Sequence, residues 1–145
     1  MANPTESMAT AVWNGSLMEG KGRVRVASGA FGELPMTWAA RTERGGASSS
    51  PEELIAAAHA TCFSMALSHG LSQKGHPPRQ LDVTARCTFV PGPGITTMRL
   101  SVVGDVPGLD EAGFAEAANA AKDGCPVSKA LKGNVDVQVE AKLKR

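Results

Sequence analysis

The sequence has no long apolar run, no cluster of basic residues and no paired-cysteine motif, and each absence excludes a class of protein. Its 15 lysine and arginine residues against 14 acidic residues leave a net charge of +1, which argues against nucleic acid or an anionic lipid surface as a partner. No apolar stretch approaches the roughly 20 residues that cross a bilayer, and the N-terminus lacks the basic and apolar regions of a secretory signal. We therefore predict a cytoplasmic protein that binds neither nucleic acid nor a membrane.

The cysteines are also too few and too scattered for a disulfide scaffold. There are three of them, Cys62, Cys87 and Cys125, without the CxxC spacing of a zinc site. His59 and Cys62 could supply two metal ligands from one helix, but a structural zinc site needs four and no matching second pair is evident. We predict no metal and no cofactor, so the thiols are either inert or chemically active themselves.

Apolar residues alternate with polar ones in several short segments, which is the pattern of strands. In the first part of the chain the predicted strands are 9–18, 22–28 and 34–41. In the second part they are 81–90 and 95–103, which form a hairpin around Pro91-Gly92-Pro93-Gly94, and a closing strand at 134–143. Helices are predicted at 109–122, with Gly124 as the stop, and from Cys125-Pro126 to Leu131. This order predicts one α+β domain covering residues 1–145 rather than a parallel α/β sheet.

The central helix has the strongest local signals. Ser50 is suited to an N-cap, Pro51 to the first helical position, and two glutamates follow in the first turn. From 54 to 67 only His59, Thr61 and Ser64 are polar, so the sequence predicts a core helix that protein surrounds on nearly every side. The helix is expected to end near Gly70 or to continue with a break to Gly75.

Local reasoning leaves the chemistry of the cysteines open. Cys62 is either an inert core residue or a reactive one. The reactive alternative needs a cation that stabilises the thiolate, and the helix that carries Cys62 offers no arginine or lysine. Cys125 opens a helix whose free N–H groups favour a thiolate, or it simply substitutes for an N-cap residue. Cys87 shares a strand face with apolar residues and is predicted to be core. His59 is a base, a metal ligand or a structurally hydrogen-bonded residue.

Two motifs, SPEELIAAAHATCFSMAL and the later GCPVSKAL, closely resemble the OsmC branch of the OsmC/Ohr family of thiol-dependent hydroperoxide reductases. The resemblance covers residues 50–131 well, extends to the closing strand and includes the first forty residues only in pattern. It implies an OsmC-like fold, in which antiparallel sheets wrap around a central buried helix in an intertwined homodimer.

By this resemblance Cys62 is the peroxidatic cysteine, which becomes a sulfenic acid, and Cys125 is the resolving cysteine, which closes a disulfide that an external dithiol reduces. Glu52 matches the glutamate of the family site, and Arg41 matches its arginine. The loop after Arg41 is one residue longer than in the family, so Arg44 is the alternative. The guanidinium would stabilise the thiolate, and the carboxylate would hold the guanidinium. The alternative interpretation of Arg41 and Glu52 is a surface ion pair.

Spacing along the central helix adds an independent expectation. Glu52 and Cys62 are ten residues apart, which is about 15 Å along a helix axis, and the glutamate side chain points away from the cysteine. The two cannot meet within one chain, so a site containing both requires a second chain. We therefore predict an obligate homodimer with shared active sites.

The predicted activity is the reduction of organic hydroperoxides, and less efficiently of hydrogen peroxide. An apolar lining from residues such as Phe63, Met65 and Phe114 would favour the organic substrate. The alternative is a non-catalytic small-molecule or thiol-binding member of the same fold.

Overall fold

The computed structural model describes residues 3–43 and 46–144 of the chain. In that part the strands are β1 (Ala9–Asn14), β2 (Lys21–Val26), β3 (Leu34–Met36), β4 (Gln80–Val90), β5 (Gly94–Asp105) and β6 (Asp136–Leu143). The helices are α1 (Trp38–Thr42), α2 (Pro51–Gln73), α3 (Glu111–Gly124) and α4 (Pro126–Leu131). Runs of strands and runs of helices follow one another, which confirms the predicted α+β class. The chain divides into two compact units, one up to Pro51 and one from Glu52 onward.

The first unit contains an antiparallel sheet in the order β1-β2-β3. The strand predicted over 9–18 ends early because the chain turns at Gly15, where φ is 95°, and the Gly20 N–H donates to the Ser16 carbonyl at 2.7 Å. The Trp13 ring lies against Gly22, and a Cβ at Gly22 would come within 2.5 Å of it. The sheet therefore needs a glycine opposite this tryptophan.

The predicted strand 34–41 is wrong beyond Met36, because the chain there enters α1. Thr37 is the N-cap residue, and its side-chain oxygen accepts a hydrogen bond from the Ala40 N–H at 3.0 Å. A capping threonine before a short alanine-containing segment outweighs the apolar alternation that suggested a strand. Arg41 consequently lies in the last turn of a helix.

The second unit contains a sheet in the order β4-β5-β6. The β4–β5 hairpin confirms the prediction, with antiparallel pairing from Gln80 opposite Asp105 to Val90 opposite Gly94. The closing strand differs from the predicted antiparallel arrangement, because β6 pairs with β5 in parallel. α3 and α4 lie between these two strands in the sequence and carry the chain back to the end of the sheet where β5 begins.

The boundaries of the later elements shift by about two residues from those predicted. α3 begins at Glu111, after the Asp110 carboxylate accepts from the Gly113 N–H at 2.8 Å. Gly124 is the last residue of α3 rather than a stop beyond it. Pro126 occupies the first position of α4, as predicted.

The core of the second unit joins one side of α2 to β5 and α3. Its largest fully buried apolar side chains are Phe63, Leu67, Leu71, Met98, Leu100, Val102 and Phe114. A Cβ at Gly104 of β5 would lie 2.4 Å from the ring of Phe114, so this close approach of helix to strand requires glycine. Cys125 belongs to the same buried cluster, which places the start of α4 beside α2.

α2 begins at Pro51, as predicted, and continues past Gly70 without a break to Gln73. One chain encloses only one side of it, since Phe63 and Leu67 are buried whereas Met65 is 68% exposed. By length and composition α2 could also span a membrane, although we predict no such run; the core helix of a water-soluble protein meets the same criteria. Met65 thus lies on an apolar side of α2 that is exposed in the single chain.

Candidate active site

Cys62 and Cys125 are 63 residues apart in the sequence and meet in the second unit. Cys62 lies on α2 and is half-buried, whereas Cys125 is the N-cap residue of α4 and is fully buried. Their side chains are hydrogen-bonded to each other, and both are free thiols. The structure thus brings together, in reduced form, the two cysteines that the sequence motifs single out.

The surroundings of Cys62 act on its pKa in opposite directions. Burial raises the pKa of this thiol most, and the hydrogen bond with Cys125 raises it further. The backbone N–H of Val127 lowers the pKa by donating to the sulfur. The raising effects prevail, so these surroundings favour the protonated thiol of Cys62. This agrees with the expectation that a buried Cys62 stays protonated without an arginine.

The start of α4 supplies the donor to Cys62. Pro126 has no N–H, so Val127 carries the first free backbone donor of this helix. The sequence predicts that these donors act on Cys125, but the Val127 N–H acts on Cys62. Cys125 occupies the N-cap position, yet its side chain makes no capping hydrogen bond.

His59 lies one helical turn before Cys62 and is fully buried. Its Nε2 is 2.7 Å from Oγ of Ser128 on α4, so His59 is hydrogen-bonded, as one of the three interpretations of it predicts. Burial lowers the pKa of His59, so the ring is neutral at physiological pH. Across residues 3–43 and 46–144, no group of three or more His, Cys, Asp or Glu side chains could hold a metal ion.

Glu52 lies in the first turn of α2 and is only 3% exposed, which contradicts the interpretation of it as part of a surface ion pair. Burial raises the pKa of Cys87 on β4, and the Glu52 carboxylate raises it further. Cys87 is half-buried on an apolar strand face, as predicted, but this carboxylate neighbour is not part of the prediction. Because α2 is unbroken, Glu52 stays about 15 Å along the axis from Cys62.

Arg41 is half-buried in the first unit, and its guanidinium carbon lies 5.9 Å from the centre of the Trp38 ring. A cation over an indole face is a favourable arrangement that limits the orientations of the guanidinium. Arg44, the alternative arginine, lies outside the residues that the structure describes.

The suggested apolar lining is wrong for two of its three residues. Phe63 and Phe114 are fully buried and belong to the core, so neither presents a surface to a substrate. Met65 is exposed on the uncovered side of α2. In a helix that is apolar all round, the sequence does not show which side faces the core, and this accounts for the error.

Val127 and Ser128 are site neighbours that the sequence reasoning missed. Both lie in the motif GCPVSKAL, directly after the cysteine. The signal that could have found Ser128 is its spacing of three from Cys125, because residues three apart share one face of a helix. His59 and Cys62 have the same spacing on α2.

The family model described as OsmC-like protein matches residues 44–140 of this chain. That range includes all three cysteines, His59 and the whole of α4. The chain belongs to the OsmC family.

Curated OsmC and Ohr relatives align over most of the chain. Peroxiredoxin OsmC of Escherichia coli (strain K12) is 40% identical over 133 residues, which cover 90% of this chain and 92% of the relative. The organic hydroperoxide resistance protein OhrB of Bacillus subtilis (strain 168) is 31% identical over 102 residues, covering 69% of this chain and 74% of the relative.

Solved structures of OsmC and Ohr proteins share the fold. An organic hydroperoxide resistance protein OsmC from Legionella pneumophila has a TM-score of 0.74 and 25% identity, covering 97% of this chain and 99% of the other. This agreement confirms the predicted OsmC-like fold.

Proposed function

We propose that this OsmC protein is a cysteine-based peroxidase that reduces organic hydroperoxides, and less efficiently hydrogen peroxide. The observation that carries the proposal is the environment of the Cys62 sulfur, which contacts a second thiol and a backbone N–H donor. Family membership supports a peroxidase-type enzyme with a hydroperoxide-related redox role, since its relatives are named peroxiredoxin and organic hydroperoxide resistance protein.

In the proposed reaction the Cys62 thiolate attacks the distal oxygen of ROOH. The O–O bond breaks, ROH leaves after taking up a proton, and Cys62 becomes a sulfenic acid. The Cys125 sulfur then attacks the Cys62 sulfur, so that a disulfide forms and the hydroxyl leaves as water with the proton of Cys125. An external dithiol reduces the disulfide, and the cytoplasm, where such reductants keep thiols free, is the proposed compartment.

Arg41 and Glu52 remain proposed members of the site on the strength of the sequence resemblance. Arg41 would supply the cation that Cys62 needs in order to ionise, and Glu52 would orient the guanidinium through a bidentate pair. Glu52 and Cys62 are separated along one unbroken helix, so Glu52 would come from a second chain. The exposed apolar side of α2, which includes Met65, supports a homodimer because water would otherwise cover it.

Peroxide treatment of the reduced protein is expected to yield one Cys62–Cys125 disulfide per chain. Mixing the protein with about one equivalent of cumene hydroperoxide should consume the peroxide and form this disulfide, and hydrogen peroxide should react more slowly. Peptide mass spectrometry identifies the linked cysteines, and a peroxide assay measures consumption. The adjacent free thiols are the reason to expect rapid closure.

The matched control is Cys87→Ala, which removes the third cysteine and should change neither disulfide yield nor peroxide consumption. If the wild-type protein consumes no peroxide and forms no disulfide, the peroxidase proposal is wrong. A small-molecule or thiol-binding role would then account for the fold better.

Two inactive variants are expected to regain activity when their chains are mixed, if each site takes Glu52 from a second chain. In a heterodimer of Glu52→Ala and Cys62→Ser, one of the two sites has both native residues. Random exchange should therefore restore about a quarter of the wild-type activity. Exchange is promoted in mild denaturant and verified by native mass spectrometry, and peroxide consumption is then measured.

The control mixture combines Cys62→Ser with Cys125→Ala. Both cysteines of a site come from one chain in the structure, so this mixture should form no active disulfide pair. Verified exchange without recovery in the Glu52 mixture would refute the shared site.

A further inference from the structure

The contact between Cys62 and Cys125 has a second, parallel contact one helical turn away. His59 precedes Cys62 by three residues on α2, and Ser128 follows Cys125 by three residues on α4. Cys62 pairs with Cys125, while His59 pairs with Ser128 at 2.7 Å. Residues three apart lie on one face of a helix, so the two contacts join the same pair of faces.

The order of the contacts shows that this part of α2 runs antiparallel to α4. Moving along α2 from His59 to Cys62 corresponds to moving back along α4 from Ser128 to Cys125. All four side chains are buried or half-buried, so water does not compete freely with either contact. Both contacts join α2 to α4, so a displacement of α4 changes both of them.

We propose that the His59–Ser128 hydrogen bond is a positioning device that holds the Cys125 thiol and the Val127 N–H against the Cys62 sulfur. Its chemical role is to make disulfide closure faster than further oxidation of Cys62. His59 and Ser128 are positioning residues, and neither takes part in bond making. The proposed role in resolution rests on the proposed peroxidase function.

α4 needs such a support because its own interactions are weak. It has six residues, and the N-cap residue Cys125 makes no side-chain capping bond. An isolated helix of this length is unstable in water, so tertiary contacts determine where it lies. The buried hydrogen bond from His59 on α2 gives α4 a directional contact, which apolar packing alone does not provide.

The state of the His59 ring is consistent with a fixed support. Nδ1 is buried and has no hydrogen-bond partner among the residues that the structure describes. A buried N–H without an acceptor is rarer than a buried acceptor without a donor, so we assign the hydrogen to Nε2, which donates to Ser128 Oγ. His59 then depends on this hydroxyl alone for its ring hydrogen bond within the described chain.

Geometry explains why closure is the step that this support affects. A disulfide forms only when the two Cα atoms are within about 7 Å and the side chains point towards each other. The sulfenic acid of Cys62 loses its hydroxyl to water as the Cys125 sulfur bonds to it, and a second peroxide competes by oxidising the same sulfur to a sulfinic acid. A small displacement of α4 slows the first reaction most, because only that reaction needs the Cys125 sulfur next to Cys62.

The test compares Ser128→Ala, which removes the hydroxyl, with Ser128→Thr, which keeps it. After peroxide treatment, Ser128→Ala should close the Cys62–Cys125 disulfide about fivefold to tenfold more slowly, with a matching rise in sulfinic acid at Cys62 by mass spectrometry. Ser128→Thr should stay within about twofold of the wild type. Ser64→Ala is the matched control, because its hydroxyl bonds to the Ala60 carbonyl within α2 and not to α4.

A double-mutant cycle separates positioning from general destabilisation. If His59→Phe and Ser128→Ala act through one bond, the double variant should close the disulfide no more slowly than the slower single variant. Independent destabilisation by the two changes would instead multiply the effects. Multiplied effects would overturn the proposal.

Oxidation by diamide tests the positioning role of the His59–Ser128 bond without any peroxide. Diamide oxidises two neighbouring thiols directly to a disulfide and is itself reduced to the hydrazine, so its rate reports how well Cys62 and Cys125 are aligned. Slow disulfide closure of Ser128→Ala with diamide would support the positioning role, whether or not the wild-type protein reacts with peroxide. A wild-type protein that does not react with peroxide would overturn only the peroxidase function. Equal closure rates of wild type and Ser128→Ala with diamide would overturn the positioning role whether or not the protein is a peroxidase.

Discussion

Cys62→Ser is expected to abolish hydroperoxide reduction, with a loss of at least about 10³-fold in the rate of peroxide consumption. In the proposed reaction the Cys62 sulfur is the nucleophile that attacks the distal oxygen and breaks the O–O bond, and a serine hydroxyl in its place is a far weaker nucleophile at neutral pH. The measurement is consumption of cumene hydroperoxide with an excess of dithiol, so that regeneration does not limit the rate.

Cys125→Ala should separate the two steps that Cys62→Ser removes together. The hydrogen bond with Cys125 raises the pKa of Cys62, so losing it favours the thiolate and should not slow the first attack. Dimedone should then trap Cys62 as a sulfenic acid that has no partner to close a disulfide. Equal loss of the first turnover in both variants, or an active Cys62→Ser protein, would contradict the assigned roles.

The parts of the fold that the sequence predicts well carry strong local signals. Pro51 and the two glutamates after it mark the start of α2, and Cys125-Pro126 marks the start of α4. Both depend on hydrogen bonding and dihedral preferences within one turn of chain. The Pro-Gly turn between β4 and β5 is equally local, and the hairpin is confirmed.

The sequence-based predictions are wrong where contacts between distant parts of the chain determine the structure. β6 follows the connection through α3 and α4, which is long enough to allow either direction of pairing, and the pairing with β5 is parallel. Arg41 is misplaced because apolar alternation over eight residues also fits a short helix, and the Thr37 cap decides between them. For α2, an apolar pattern without a polar face cannot show that Met65 lies on the uncovered side.

The candidate site also contains residues that the sequence motifs single out and residues that only the structure shows. The resemblance of two motifs identifies Cys62 and Cys125, and the structure brings them into contact. The Val127 N–H and the Ser128 hydroxyl act across two helices. The spacing of three between Cys125 and Ser128 indicates a shared helix face, but it does not show which helix that face contacts. Residues that support a thiol through tertiary contacts are therefore found only once the packing of the helices is known.

Arg41→Met is expected to lower the rate of hydroperoxide reduction at neutral pH by about 100-fold. Burial and the bond with Cys125 raise the pKa of Cys62, and the proposed guanidinium would counteract them. Methionine preserves much of the length and apolar stem but removes the charge, so the thiol should need a more alkaline pH to ionise. Because the thiolate is the reactive form, the loss should be largest at acidic pH and should shrink as the pH rises.

Rate constants measured from about pH 6 to about pH 9, together with the ultraviolet absorbance of the thiolate, divide the effect of Arg41 into two parts. The part of the rate loss that disappears at alkaline pH reports stabilisation of the thiolate by Arg41. A rate loss that remains when Cys62 is fully ionised reports stabilisation of the charge on the departing oxygen. Arg23→Met is the matched control, because Arg23 forms an exposed ion pair with Glu33 at 3.4 Å, and its pH profile should be that of the wild type. If Arg41→Met has the wild-type profile and rate, another cation ionises Cys62, and Arg44 is the next arginine to replace.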